Sequence, residues 1–167
     1  VKDRDGSITE YTYDKVPGEK SSLKVGVALK SSEGRAISTS GYEYVFRNKA
    51  NGEEWTYKMV STLDGMRTET VYNECCGLPI FIKQGGAETT FAYDPKGRVT
   101  KKVTPNEVTE LNYDAKVGKV NRVVKYQKAN KKRVDWSTFG YDSRGNLVVA
   151  KNSARAEVHL FYDNLGR

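Results

Sequence analysis

Polar and apolar residues alternate with a period of two along much of the chain. The alternation is clearest when counted back from six tyrosines: Tyr13, Tyr72, Tyr93, Tyr113, Tyr141 and Tyr162. Two positions before them stand Tyr11, Thr70, Phe91, Leu111, Phe139 and Leu160. Four positions before stand Thr9, Thr68, Thr89, Thr109, Ser137 and Val158. The position between these two sets is mostly polar: Glu10, Glu69, Thr90, Glu110, Thr138 and His159. Such a period puts one set on each face of an extended strand, so one face turns toward a core.

After each tyrosine comes Asp or, once, Asn: Asp14, Asn73, Asp94, Asp114, Asp142 and Asp163. A glycine then follows, four residues after the tyrosine at Gly97, Gly145 and Gly166, and five after it at Gly18, Gly77 and Gly118. The shorter form, Asp-x-x-Gly, suits a type I turn. The Asp carboxylate accepts backbone N–H groups, Pro95 pre-sets φ, and the glycine tolerates a left-handed conformation. Such a turn is a common hairpin loop. Seven residues before the tyrosine lies a second turn signal, at Gly6, Gly65, Gly86 and Asn106. Each unit therefore reads strand, turn, strand, turn. Its spacing of roughly 20 residues is that of a small unit stacked in a repeat protein. The fold expected is all-β: consecutive antiparallel hairpins in a curved, meandering sheet, with no helix.

Regular units occupy residues 63–167, and residues 1–62 read as degenerate hairpins of the same kind. In the latter, Tyr42 to Phe46 and Trp55 to Val60 look like strands flanking the Asn51-Gly52 turn signal. Glu33-Gly34-Arg35 echoes Lys96-Gly97-Arg98. The longer step from Tyr113 to Tyr141 predicts an extra strand or loop, a basic insertion near residues 121–133. Both ends cut through a unit without capping features, so the expectation is one continuous array within a longer polypeptide.

Composition narrows this picture. Only 37% of residues are hydrophobic, so one buried face per strand fits better than a thick two-sided core. The 11 tyrosines suit a sheet face with a wet side. No stretch is apolar enough for a membrane-spanning helix. The first residues, Val1 to Gly6, do not read as a signal peptide.

Phe91-Ala92-Tyr93-Asp94-Pro95-Lys96-Gly97-Arg98-Val99-Thr100 resembles the YD repeat. Phe139-Gly140-Tyr141-Asp142-Ser143-Arg144-Gly145-Asn146-Leu147 and Phe161-Tyr162-Asp163-Asn164-Leu165-Gly166-Arg167 resemble it as well. That repeat is typical of Rhs proteins, wall-associated YD proteins, the C components of insecticidal toxin complexes, and teneurins. The resemblance implies a secreted or surface-exposed polypeptide whose repeats spiral into a β-shell. Its partners would be the neighbouring repeats of the parent chain and a C-terminal toxin cargo enclosed by the shell. Rhs cores end in an aspartyl self-cleavage region, which has no counterpart here.

Catalytic chemistry finds little support. A single histidine, His159, allows neither a His-based metal cluster nor a Ser-His-Asp triad. The recurring aspartates already serve as turn residues, and Gly85-Gly86 lacks the Lys-Ser/Thr and helix of a phosphate loop. The expectation is a non-enzymatic chain with no cofactor or metal. Cys75-Cys76 reads first as two free thiols in a turn. A vicinal disulfide is the alternative in an oxidising compartment, followed by intermolecular bridging or metal binding. The net charge is +7. The cluster of Lys125, Lys128, Lys131, Lys132 and Arg133 reads first as a solvated loop or edge. Its rival reading is an anionic-ligand patch, with a glycan or cell surface as partner and nucleic acid the weaker case. Together with Trp55 and Trp136 it motivates a second hypothesis, an adhesin-like glycan-binding module. Exposed sheet edges would also permit a dimer.

Overall fold

A computed structural model describes residues 1–15 and 23–167; Gly18 of the first Tyr-Asp unit lies outside the described residues. The described residues form strands and turns without a helix. The strand order is the chain order, and the strand pairs are antiparallel. Two compact units are present, Val1–Glu88 and Thr89–Arg167.

The first unit contains β1 (Ile8–Asp14), β2 (Leu23–Lys30), β3 (Ala36–Asn48), β4 (Glu54–Leu63), β5 (Met66–Tyr72) and β6 (Pro79–Gln84). Its turns keep the repeat's chemistry where the sequence does not advertise it. Gly34 N–H donates to the Ser31 carbonyl (2.9 Å) at φ +83, and the Arg35 N–H donates to Ser31 Oγ (3.1 Å). Ser31 thus stands where Asp stands in the regular units. At the β3–β4 turn Gly52 N–H donates to the Lys49 carbonyl (3.0 Å), so Asn51-Gly52 ends a four-residue turn. Between β4 and β5, Asp64 (φ 47) and Gly65 (φ 85) make a two-residue loop with both residues left-handed. Asp64 is held there by the Thr39 N–H (2.8 Å) and the Ser38 hydroxyl (2.9 Å).

The second unit begins within β7 (Ala87–Tyr93) and continues through β8 (Val99–Val103), β9 (Glu107–Tyr113), β10 (Val120–Gln127), β11 (Arg133–Tyr141), β12 (Leu147–Asn152) and β13 (Glu157–His159). Along β7 the half-buried Thr89, Phe91 and Tyr93 alternate with exposed Thr90 and Ala92, as period two requires. The long step from Tyr113 to Tyr141 holds two strands, β10 and β11, as the shorter Tyr93–Tyr113 step holds β8 and β9. Its extra residues lengthen the hairpin and add no strand. Beside most Tyr-Asp turns the ladder shifts register, for example between Ala92 and Tyr93 and between Gly140 and Tyr141. The shift is the bulge that accompanies a turn ending on a left-handed glycine.

The core is thin. Val60 and Val124 are each 3% exposed, Thr70 is 9% exposed, and no described side chain is completely buried. Val124 sits between Glu110 and Trp136, and Val60 between Glu43 and Glu69, so the stems of long neighbours cover them. Each valine contributes about 2 kcal/mol of burial. Much of the remaining surface is cross-strand charge pairing, as in Lys101–Glu110 (3.2 Å) and Lys58–Glu69 (2.8 Å).

Candidate functional site

The Tyr-Asp turns are the recurring polar constructions of this chain. In the turn after β7, Asp94 Oδ1 accepts the N–H groups of Lys96 (2.9 Å) and Arg98 (3.0 Å), and Oδ2 accepts Arg98 Nε (2.7 Å). Gly97 N–H closes the turn on the Asp94 carbonyl (2.9 Å) with φ +77. Asp142 repeats this with Arg144, Asn146 and the Asn146 amide, and Asp163 with Leu165, Arg167 and the Arg167 side chain. In the longer form, Asp114 Oδ1 accepts Lys116 and Val117, and Gly118 N–H reaches the Asp114 carbonyl (3.0 Å). Asn73 substitutes its amide oxygen, accepting from Cys76 and Leu78, with Gly77 closing on its carbonyl. Asp14 accepts only the Lys15 N–H among the described residues.

These hydrogen bonds favour the ionised carboxylates. Asp94 is held below its ordinary 3.8 chiefly by the Arg98 side chain, Asp142 by the Asn146 N–H, and Asp163 by the Arg167 N–H. A depressed folded value contributes stability above the unfolded value, and that stability is lost as pH falls through the folded one. The window therefore lies below about pH 4. Replacing Asp94, Asp142 and Asp163 together by Asn keeps neutral acceptors but removes this dependence. Thermal midpoints at pH 6 and pH 3 should then differ less than in the parent chain. An equal drop would show that the turns do not carry the acid sensitivity.

A second set of contacts joins each unit to the one before it. The Tyr113 hydroxyl donates to the Val99 carbonyl (2.7 Å), Tyr141 to Val120 (2.7 Å), and Tyr162 to Leu147 (2.9 Å). Each acceptor pairs across the turn with the preceding repeat tyrosine: Tyr93 with Val99, Tyr113 with Val120, and Tyr141 with Leu147. Cations reach forward in the opposite sense. Arg98 Nη1 donates to the Gly118 carbonyl (2.9 Å) while its guanidinium lies 4.1 Å from the Tyr113 ring centroid. Lys119 Nζ donates to the Gly145 carbonyl (2.8 Å), and Arg144 Nη1 to the Asn164 carbonyl (3.1 Å). The Asp114 and Asp142 turns are thus held from both sides. Sequence reasoning fixed on Tyr, Asp and Gly and left these cations out. For Arg98 and Lys119 the signal was the basic residue after the glycine, in Gly97-Arg98 and Gly118-Lys119; Arg144 stands before its glycine.

The repeat tyrosines are only half-buried, and Tyr13 and Tyr162 are 60% and 38% exposed. Their hydroxyls therefore matter alongside their rings. Tyr141→Phe should cost about 1 kcal/mol, the worth of one hydrogen bond. A urea melt with an unchanged midpoint would remove the hydroxyl from the account.

The basic cluster lies around one hairpin tip. Lys125 lies on β10 and approaches Glu107 (3.8 Å); Lys128, Lys131 and Lys132 occupy the β10–β11 turn; Arg133 opens β11. Lys131 adopts φ 56 as a turn residue. Trp136 belongs to the second unit and Trp55 to the first. His159 Nε2 contacts exposed Glu157 (2.8 Å). Cys75 and Cys76 form a disulfide, where free thiols were the first expectation. The tight turn around Asn73 brings the adjacent side chains to the same side. Among the described residues no three His, Cys, Asp or Glu side chains gather as metal ligands.

No family profile matches the sequence, and no curated protein matches it. Solved structures do. The Photorhabdus luminescens Tc holotoxin pore aligns with a TM-score of 0.53 at 15% identity, over 98% of this chain and 12% of that one. Two crystal structures, TcdB2-TccC3-TEV and TcdB2-TccC3-Cdc42, align over 98% of this chain and 12% of theirs, both at a TM-score of 0.35, with identities of 12% and 14%. The chain spans about 12% of the length of these proteins. The antiparallel meander that the Tyr-Asp turns close thus has a fold found within the Photorhabdus luminescens Tc holotoxin pore.

Proposed function

We propose that this chain is a non-enzymatic wall segment of a secreted or cell-surface YD-repeat protein. Its partners are the neighbouring repeats of the parent polypeptide, and the completed shell encloses or presents a C-terminal toxin domain. The observation that carries the reading is the two-way fastening of successive turns by Tyr113, Tyr141 and Tyr162 backward and by Arg98, Lys119 and Arg144 forward. Such contacts fix each hairpin to the next and leave few polar groups for chemistry. The likeness to the Tc holotoxin pore supports the shell reading at the level of fold. The Cys75–Cys76 disulfide is in keeping with an oxidising, extracellular setting.

The test is made on the parent polypeptide. Electron microscopy should show a closed shell, and limited proteolysis should leave a C-terminal segment protected until the shell is opened by denaturant. An open sheet with every downstream segment cleaved at once would overturn the reading.

A further inference from the structure

The hairpin of β10 and β11 stands clear of its neighbours. On one side β9 begins at Glu107, opposite Gln127, and the Lys128 N–H reaches the Asn106 carbonyl (2.9 Å). On the other side β12 ends at Asn152, opposite Ser137, and the Ser153 N–H reaches the Trp136 carbonyl (3.0 Å). The turn at residues 129–132 extends past both contacts, and Arg133 to Asp135 lie beyond the last residue pair with β12. The tip is nevertheless built firmly. The Lys131 N–H donates to the Gln127 carbonyl (2.9 Å), the Gln127 N–H to the Lys132 carbonyl (2.8 Å), and the Lys132 N–H to Asn130 Oδ1 (2.9 Å).

Charge at this tip is one-sided and unspent. Residues 127–135 are exposed. The side chains of Lys128, Lys131, Lys132 and Arg133 have no anionic or carbonyl partner among the described residues. In the same unit Lys101 is neutralised by Glu110 (3.2 Å) and Lys151 by Glu157 (2.9 Å). Asp135 is the only carboxylate between residues 125 and 135, and it is occupied by the Ser153 hydroxyl (2.5 Å) and the Trp136 N–H (2.8 Å). Glu107 draws Lys125 (3.8 Å). Val134, 46% exposed, follows directly on the cationic run. Cations often blunt an unpaired sheet edge. That accounts for Arg133 on the open side of β11. Lys128, Lys131 and Lys132 sit in the turn, where there is no strand edge to protect.

We propose that the β10–β11 tip docks this chain on an anionic phospholipid surface. A projecting tip with four free cations meets a plane of negative headgroups end-on, with all four engaged at once. A strand of polyanion is held instead in a groove that tracks its backbone. The exposed Val134 adds an apolar contact at the headgroup boundary, which a soluble anion would not use. Lysines and arginines near such a surface are drawn to its negative potential, at about fivefold in affinity for each. Four free cations then amount to about 600-fold, enough for reversible docking without insertion of a strand. The inference is independent of the shell reading, because the Tyr-Asp fastenings lie at the opposite ends of these strands.

The test is co-sedimentation of the whole chain with phosphatidylcholine vesicles, with and without phosphatidylserine, over a series of salt concentrations. Binding should require phosphatidylserine and should weaken as salt screens the charges. Lys131→Gln should bind about fivefold more weakly, and joint replacement of Lys128, Lys131, Lys132 and Arg133 by Gln should abolish co-sedimentation. These side chains have no internal partner, so the melting curves should match the parent's. Replacing Lys2, Arg4, Lys96 and Lys116 by Gln removes the same charge from exposed positions away from the tip, and should leave binding near the parent's. No binding to phosphatidylserine vesicles at low salt overturns the proposal. So does equal binding to neutral vesicles, undiminished binding in the fourfold tip variant, or an equal loss in the control variant. Tighter binding to a single-stranded oligonucleotide or to dextran sulfate than to the vesicles, at the same salt, would also overturn it and assign the tip to a linear polyanion.

Discussion

Gly145→Val is expected to destabilise the second unit by about 2 kcal/mol, because a β-branched residue is forced into left-handed backbone. Gly145 adopts φ +83, and its N–H closes the Asp142 turn (3.0 Å). Its carbonyl also receives Lys119 Nζ (2.8 Å), so a shift of this residue disturbs the fastening of the preceding unit as well. Steric crowding is not the cause. A Cβ here would meet only Lys119 Nζ and Val117, each at 3.9 Å. Gly145→Asn should therefore recover much of the loss, since Asn visits the left-handed region with little penalty. In a thermal melt the Val variant should fall by roughly 4–8 °C, given the size of the chain. A Val variant melting with the parent, or an Asn variant as damaged as Val, would show that φ at this turn is not what constrains the residue.

How much of this was legible in the sequence depends on how local the physics is. The Tyr-Asp-x-x-Gly turns were, because an aspartate accepting the N–H groups two and four residues ahead and a glycine at positive φ are settled within five residues. The alternation that makes β7 a one-sided strand was equally local. Ser31-to-Gly34 and Asp3-to-Gly6 were harder. They build the same closure, with Gly34 and Gly6 donating to the first turn carbonyl, but without a preceding tyrosine to mark them. What the sequence hid is what crosses between units. Arg98 reaches Gly118, 20 residues away, and Lys119 reaches Gly145, 26 away. Nothing in the local pattern says where a long side chain will end. Lys125 to Arg133 is dense in sequence, and the structure distributes it over the end of β10, the turn that follows and the start of β11.

Gly140→Ala should also cost about 2 kcal/mol, from overpacking and not from backbone strain. Gly140 pairs with Val149 across β11 and β12, and a Cβ added to it would stand 2.6 Å from Val149 Cγ1. The corresponding residue before Tyr93 is Ala92, which pairs with Lys101. There a flexible side chain leaves room for the methyl; here a stiff β-branched one does not. The glycine is thus explained by its partner, and the explanation can be tested by changing the partner. In a Val149→Ala background, Gly140→Ala should become neutral or slightly stabilising, because the clash is gone and alanine restricts the unfolded chain. A double-mutant cycle should then return a coupling of about 2 kcal/mol. Additive losses would mean that Gly140 is needed for something other than the space Val149 occupies. The coupling matters beyond this pair. Residue 140 sits at the register shift leading into Tyr141, whose hydroxyl must meet the Val120 carbonyl. If the Gly140–Val149 contact sets that register, restoring it in the double variant should also restore the cost of Tyr141→Phe, which a displaced tyrosine in Gly140→Ala alone would have lost.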